Sequence, residues 1–249
     1  MDLRAIAMGL GFALMWSSAF TSARIIVADA PPVSALAIRF LISGMIAVLI
    51  AARMDQSWRL TPAQWRATAI FGFCQNALYL GLNFVAMQTV EASLAAIIAS
   101  SLPLLVALAS WLVLGERIAP LGMAGLAAGM GGVVLIMGTR LTGGADIRGV
   151  ALAAGGAVAL TFATLAVRSA TSGGNLLMIV GLQMLVGALA LGLWALAFWQ
   201  VRWSWQLIAA FTYTTLVPGL LATWVWFALV GRIGAVRAAA FHFLNPFSG

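Results

Sequence analysis

Two passages of the chain repeat each other at a fixed distance: residues 82–103 can be laid over residues 225–246 at a shift of 143 positions. A shift of 144 relates the beginning of the chain to its second half in the same way. A coincidence of composition would not keep this register over several segments, so the sequence predicts a fold of two related halves. The matched pairs include Phe84 with Phe227, Ala92 with Ala235, Pro103 with Pro246, Arg4 with Arg148, Ser17 with Thr161 and Arg24 with Arg168.

The chain is too apolar for a soluble protein. Hydrophobic residues make up 63% of it and charged residues 8%, with a mean hydropathy of +1.08, and so few polar residues cannot cover a surface in water. We therefore expect an all-α membrane protein, in which roughly nine or ten crossings of about 20 residues fit. The hydropathy pattern and the short polar breaks predict spans at 5–27, 31–52, 67–87, 92–114, 119–139, 149–167, 176–198 and 206–229, and a ninth from about 235.

The net charge of +7 comes from arginines that are spread over short loops, which indicates membrane topology and not nucleic-acid binding. With the N-terminus in the cytoplasm, eight loop arginines lie inside and three outside, and this excess predicts that orientation. The inner set is Arg4, Arg53, Arg59, Arg66, Arg117, Arg168, Arg232 and Arg237, and the outer set is Arg140, Arg148 and Arg202.

Five spans precede the second copy. Because five is odd, the second copy enters the membrane from the opposite side, and the two repeats are predicted to be inverted. We expect the first repeat to cover 1–139 and the second, 149–249, to be incomplete, since ten spans are expected and about nine are present. The rest of span nine and a tenth span would then lie outside this sequence.

Several short motifs resemble the drug/metabolite transporter superfamily and, within it, the ten-span EamA-type exporters. They are Leu14-Met15-Trp16-Ser17-Ser18-Ala19-Phe20, Pro32 with Arg39-Phe40, Ser101-Leu102-Pro103, Gly115-Glu116 and Phe243-Leu244-Asn245-Pro246. The resemblance covers the whole chain. It implies a bacterial inner-membrane exporter of small metabolites or amino acids, and the similarity is greatest to the aromatic amino acid exporters.

Span three carries a polar stripe. Asn76, Tyr79 and Asn83, together with Gln75, lie at helical spacing on one face. Polar side chains are costly in lipid, so this face is expected to point to a substrate pathway or to neighbouring helices. Interhelical hydrogen bonding remains the alternative.

Three tryptophans do not clearly lie at the span ends, where tryptophans usually anchor a membrane protein. Trp16, Trp224 and Trp226 are predicted to line a pocket for an aromatic or apolar substrate, with packing against lipid as the alternative. Ser17, beside Trp16 in the middle of span one, is a further predicted substrate-binding residue. Pro218-Gly219 in span eight predicts either a broken helix of the kind that binds substrates or a simple kink.

Two basic side chains lie inside spans. Arg39 would meet a substrate carboxylate or hold backbone carbonyls of a broken helix, since a buried arginine is expensive and usually paired. His242 would carry a proton or pack as a polar residue. No Asp or Glu lies in the middle of a predicted span, so a carboxylate proton relay is not expected.

These features favour a secondary transporter that works by alternating access around a central cavity. Its expected partners are a small-molecule substrate and the bilayer, and its expected state is a monomer or a weak homo-oligomer. A membrane enzyme would need clustered titratable groups, and no catalytic residue, cofactor or metal is expected. A drug or nucleoside transporter of the same fold and a non-transporting scaffold remain as alternatives. The chain contains no Walker-type motif for ATP.

Overall fold

A computed structural model describes residues 3–115, 120–170, 175–195 and 200–244 of the protein. Every regular element in these residues is a helix, which confirms the predicted all-α fold. We number the helices as spans one to nine: Leu3–Asp29, Pro32–Arg53, Pro62–Ala86, Ala92–Ala99 with Leu102–Leu114, Pro120–Thr142, Ile147–Ala170, Leu176–Ala195, Trp205–Ile233, and Ala235–Ala239 with Ala240–Leu244.

Among the described residues, six helices are long and apolar enough to cross a membrane, and shorter apolar helices lie in spans five, seven and nine. Span three begins five residues earlier than the hydropathy pattern predicts. The reason is a capping box, in which the Thr61 hydroxyl accepts from the Gln64 N–H at 3.3 Å and the Gln64 side chain accepts from the Thr61 N–H at 3.0 Å. These two bonds satisfy backbone donors that the first turn would otherwise leave unpaired.

Spans three and eight share an unusual feature at matching positions. Each changes from an α-helix to a π-helix midway, over Gly72–Leu80 in span three and Thr215–Leu221 in span eight, and the starts of the two segments are 143 positions apart. Pro218 lies inside the second segment and cannot donate a helical hydrogen bond, so a wider turn relieves the loss without breaking the helix. Span eight is therefore continuous through Pro218-Gly219.

Spans two and seven, which correspond in the two repeats, run in opposite directions. The end of span two meets the beginning of span seven, because the Gln56 side chain accepts from the Met178 N–H and the Ser57 N–H donates to Asn175 Oδ1, both at 3.0 Å. Spans one and eight are also antiparallel. Span one ends at Asp29, and the Asp29 carbonyl accepts a hydrogen bond at 2.8 Å from the N–H of Arg202, which lies just before span eight. This is the arrangement of inverted repeats. The limits of the repeats at 1–139 and 149–249 stay a prediction.

The two faces of the bundle follow from these directions. We call the face at which span one begins the N face; it also holds the 54–61 loop and the start of span seven. The distal face holds the three loops 30–31, 87–91 and 143–146 and the segment 200–204.

Spans two and seven cross through glycines. A Cβ at Gly181 would lie 2.9 Å from the backbone nitrogen of Val48 and 3.0 Å from the carbonyl oxygen of Gly44. A Cβ at Gly44 would lie 2.8 Å from the Leu185 side chain. The two backbones touch because neither residue carries a side chain, as in other close helix pairs in membranes.

We expect Gly181→Ala to lower the midpoint of thermal unfolding in detergent, because the added methyl group meets backbone atoms that have no freedom to move. The cost of such overpacking is typically about 1–3 kcal/mol. Gly192→Ala is the matched control on the same span, since a Cβ there meets nothing within 4 Å. Equal midpoints for the two variants would contradict the close crossing.

Candidate functional site

A small cavity, lined mostly by buried residues, lies between spans one, two, three and eight. Its volume is about 20 Å³, which is space for about one water molecule and far less than a metabolite needs. A substrate could enter only if the surrounding helices moved apart. The cavity is lined by Trp16, Ala19, Phe20, Ala23, Arg39, Tyr79, Leu80, Asn83, Phe84, Met87 and Pro218.

An aromatic cluster closes the cavity towards the N face. The rings of Trp16 and Tyr79 stack at 6.1 Å with an interplanar angle of 6°, and Trp16 forms the wall of the cavity. Behind it, the Phe12 ring stacks on Trp226 at 4.8 Å, and the His242 ring meets the edge of Trp226 at 5.0 Å. Rings in these orientations attract each other beyond their burial. A substrate that leaves towards the N face must therefore separate several packed rings.

The polar stripe of span three is buried in protein along its whole length. Its members do different things. Asn76 donates from Nδ2 to the carbonyl and the side-chain oxygen of Gln183 in span seven, with 3.0 Å to the carbonyl. Tyr79 and Asn83 line the cavity instead, and Asn83 Nδ2 donates to the Tyr79 carbonyl at 2.9 Å. The stripe is therefore divided between an interhelical hydrogen bond at Asn76 and a cavity wall at Tyr79 and Asn83.

Three other predicted site residues lie beside the cavity and not on its wall. The Ser17 hydroxyl donates to the carbonyl of Ala13, one turn earlier in its own helix, at 2.8 Å. Trp226 and His242 belong to the aromatic cluster, and the His242 ring nitrogen Nδ1 contacts the Ala239 carbonyl at 3.2 Å. These positions allow them to act on the cavity through Trp16.

Arg39 reaches the cavity from span two. Its side chain is 4% exposed, and its Nε has no hydrogen-bond partner. A Cβ at Gly219, in the π-helical segment of span eight, would lie 3.4 Å from Nε and from Nη2, so the guanidinium occupies the space that this glycine leaves free. Among the described residues, no carboxylate lies within ion-pair distance of it.

The distal side of the cavity is closed by a thinner layer. Arg24 Nη1 donates to the carbonyls of Met87 and Val90 and so ties span one to the end of span three. Beyond this tie lies a wide depression of about 720 Å³ at the distal face, which includes Val27 and Gln88. Ala23 and Met87 line the cavity, so about one helical turn separates the two spaces.

Further side-chain contacts join segments of the distal face. Arg202 Nη2 donates to the Ala28 carbonyl at 2.7 Å, and Thr89 Oγ1 donates to Asp146 Oδ2 at 2.7 Å. Asp146 also accepts from the backbone N–H groups of Arg148 and Gly149 at the start of span six. The hydrogen bonds that Asp146 accepts hold the pKa of its carboxyl below its usual range, and the bond from Thr89 has the largest effect.

Sequence reasoning missed several residues of the site. Phe12, Phe20, Phe84 and Met87 are apolar residues in apolar spans, and no pattern sets them apart from residues that face lipid. The sequence identifies Gln183 as the residue of the second repeat that corresponds to Arg39. Its hydrogen bond to Asn76 could not be predicted, because it depends on how spans three and seven pack.

The family of the chain follows from comparison with known proteins. Residues 3–138, more than half of the chain, match the model of the EamA-like transporter family. The protein belongs to the EamA-like transporter family. This agrees with the resemblance that the motifs of spans one to four indicate.

The protein is also similar to two uncharacterized transporters and to a solved structure. It is 28% identical over 236 residues to the uncharacterized transporter YvbV of Bacillus subtilis, covering 94% of this chain and 77% of the relative. The uncharacterized transporter sll0355 of Synechocystis is 29% identical over 125 residues, which is 49% of this chain and 37% of that protein. A crystal structure with 24% identity superposes with a TM-score of 0.67 over 98% of this chain and 86% of its own, and shows the fold alone.

We expect Arg24→Met to loosen the distal closure of this EamA-like protein, because methionine fills similar space but cannot donate to the Met87 and Val90 carbonyls. A cysteine placed at the cavity-lining Ala23, in a Cys74→Ala background, should react faster with a water-soluble thiol reagent when Arg24 is replaced. Arg148→Met is the control, since Arg148 is exposed on the same face. An unchanged labelling rate in the Arg24 variant would show that this tie does not close the cavity.

Proposed function

We propose that the protein is a secondary transporter that exports small metabolites, above all amino acids with aromatic or apolar side chains, across the bacterial inner membrane. Membership of the EamA-like family and relatives named as transporters support the general class. The observation that carries the specific proposal is the central cavity, which is bordered by the aromatic cluster on one side and the Arg24 tie on the other and combines stacking rings with a few polar groups. Such a mixture binds one polar end and one apolar body of a small molecule.

Alternating access is the transport mechanism that we propose for this geometry. The cavity is sealed by the aromatic cluster on the N-face side and by the Arg24 tie on the distal side. In our proposal, the substrate opens one seal at a time while the antiparallel pair of spans two and seven remains packed. Trp16 and Tyr79 would stack on the apolar part of the substrate, and Asn83 would hydrogen-bond its polar part.

We expect Tyr79→Ala and Asn83→Leu to reduce transport about fivefold or more while expression and monodispersity stay near wild type. Loss of one stacking or hydrogen-bonding contact of about 1–3 kcal/mol accounts for a change of this size. The measurement is efflux from proteoliposomes loaded with a mixture of amino acids, followed by mass spectrometry. Leu78→Ala is the matched control, since Leu78 adjoins Tyr79 but is 36% exposed on the outer surface. Wild-type rates in both cavity variants would exclude this site.

We further propose that the N face lies in the cytoplasm. Eight arginines lie near this face in the sequence, and three lie in the distal loops. Loop arginines are retained on the cytoplasmic side of bacterial inner-membrane proteins. Export then runs from the side of the aromatic cluster to the side of the Arg24 tie.

Single cysteines test this orientation. Ala63 on the N face and Gln88 on the distal face are both exposed and can each be changed to cysteine in a Cys74→Ala background. In intact spheroplasts, an impermeant thiol reagent should label the Gln88 position and leave the Ala63 position unlabelled until the membrane is opened. The reverse pattern would invert the topology.

A further inference from the structure

The repeat relation pairs two buried polar contacts that are chemically different. Arg39 in span two corresponds to Gln183 in span seven at a shift of 144, and Asn76 in span three corresponds to Gly219 in span eight at a shift of 143. In one half of the molecule Gln183 packs on the π-helical segment of span three and accepts a hydrogen bond from Asn76. In the other half Arg39 packs on the π-helical segment of span eight, opposite Gly219.

The first of these contacts contains a hydrogen bond between two side chains and leaves Gln183 Nε2 without a partner, whereas the second contains no hydrogen bond between side chains. The Asn76–Gln183 pair joins two neutral amides and lies outside the cavity. At the matching place, glycine offers no side chain to bond with Arg39, and the guanidinium faces the cavity with its Nε unpaired. At matching positions the fold therefore has a hydrogen-bonded amide pair in one half and, in the other half, a cation that has no carboxylate partner among the described residues and lies on the wall of a cavity.

An unpaired guanidinium is the less stable choice for a buried site. Burial of a charge costs several kcal/mol unless an opposite charge and hydrogen bonds compensate it. The nearest aromatic ring is that of Phe40, whose centroid lies 5.0 Å from the Arg39 carbon Cζ, and such a contact compensates only about 1–2 kcal/mol. A glutamine, as in the other repeat, would avoid the cost, so the charge has a use beyond packing.

We infer that Arg39 is the anion-binding group of the central cavity and that the transported substrate is a small organic carboxylate. This inference rests on the transport function proposed above and names its substrate class. The guanidinium presents its N–H groups as a planar fork that matches a carboxylate in a bidentate pair. Trp16, Phe20, Tyr79 and Phe84 surround the apolar part of such a molecule, so one carboxylate on an aromatic or aliphatic body fits the lining best.

A binding experiment separates a ligand site from a structural arginine. The probes are benzoate, benzamide, which has nearly the same shape without the charge, and phenyl phosphate. At about tenfold excess over Kd, benzoate should raise the unfolding midpoint of the purified protein by roughly 3 °C, and the other two should not. The shift should vanish in Arg39→Gln, return in part in Arg39→Lys and persist in Arg66→Gln, whose arginine is exposed at the start of span three.

The same variants give a second readout. Arg39→Gln without ligand should unfold at the wild-type temperature or above it, because it removes an unpaired buried charge. A structural arginine would give the opposite result, a clear fall in the midpoint. Four results would each overturn the carboxylate site. They are a fall in the midpoint of Arg39→Gln, an equal response to benzamide, a preference for phenyl phosphate, and no response to benzoate.

Transport distinguishes failure of this inference from failure of the proposed function. Proteoliposomes are loaded with phenylalanine, leucine, their amides and benzoate, and protein-free liposomes correct for passive leakage. The wild type should export the acids at least tenfold faster than the amides, and Arg39→Gln should lose this preference. Equal export of acids and amides overturns the carboxylate inference alone. If benzoate binds through Arg39 but no compound is exported, the amino acid transport proposal fails and the anion site stands.

Discussion

The antiparallel crossing of spans two and seven is the contact on which the rest of the bundle depends. Gly44 and Gly181 bring two backbones together at this crossing, and the hydrogen bonds of Gln56 and Ser57 fix their direction at the N face. In lipid there is little hydrophobic drive between helices, so close packing and buried hydrogen bonds must hold them. In the proposed alternating mechanism this pair stays packed while the outer spans move about it.

Around this pair the two halves have diverged at the places that matter for a ligand. Both halves keep a π-helical segment against a buried polar side chain, but Gln183 is hydrogen-bonded to Asn76 in one half, and Arg39 faces a cavity without such a bond in the other. The seals on the two sides of the cavity also differ. Stacked rings close the N-face side, and the Arg24 tie to two backbone carbonyls closes the distal side. Rings that pack at 5 Å resist separation more than one exposed arginine does, so the distal seal is the weaker one.

Much of the fold could be predicted from the sequence. The constant shift of 143–144 and the number of spans predicted the inverted relation, and short polar breaks placed the helices to within a few residues. The beginning of span three was missed, because its capping box at Thr61 and Gln64 is a local hydrogen-bond feature that hydropathy does not register.

The site was predictable only in part. Trp16, Tyr79, Asn83 and Arg39 were found because polar or large aromatic side chains are conspicuous in an apolar chain, and all four line the cavity. Asn76 carries the same signal but bonds to Gln183 instead. Which member of a polar stripe faces a cavity depends on how two helices from different repeats pack, and the pattern within one helix does not contain that information.

The central claim is that the two seals open alternately about a fixed pair of helices. It can be tested by pulsed electron spin resonance on protein in nanodiscs, with spin labels at Gln88 and Trp203 across the distal face, or at Ala63 and Val236 across the N face. Breaking the distal seal with Arg24→Met should lengthen the distal distance while the N-face distance stays short. An increase at both faces together, or no change at the distal face, would contradict the account.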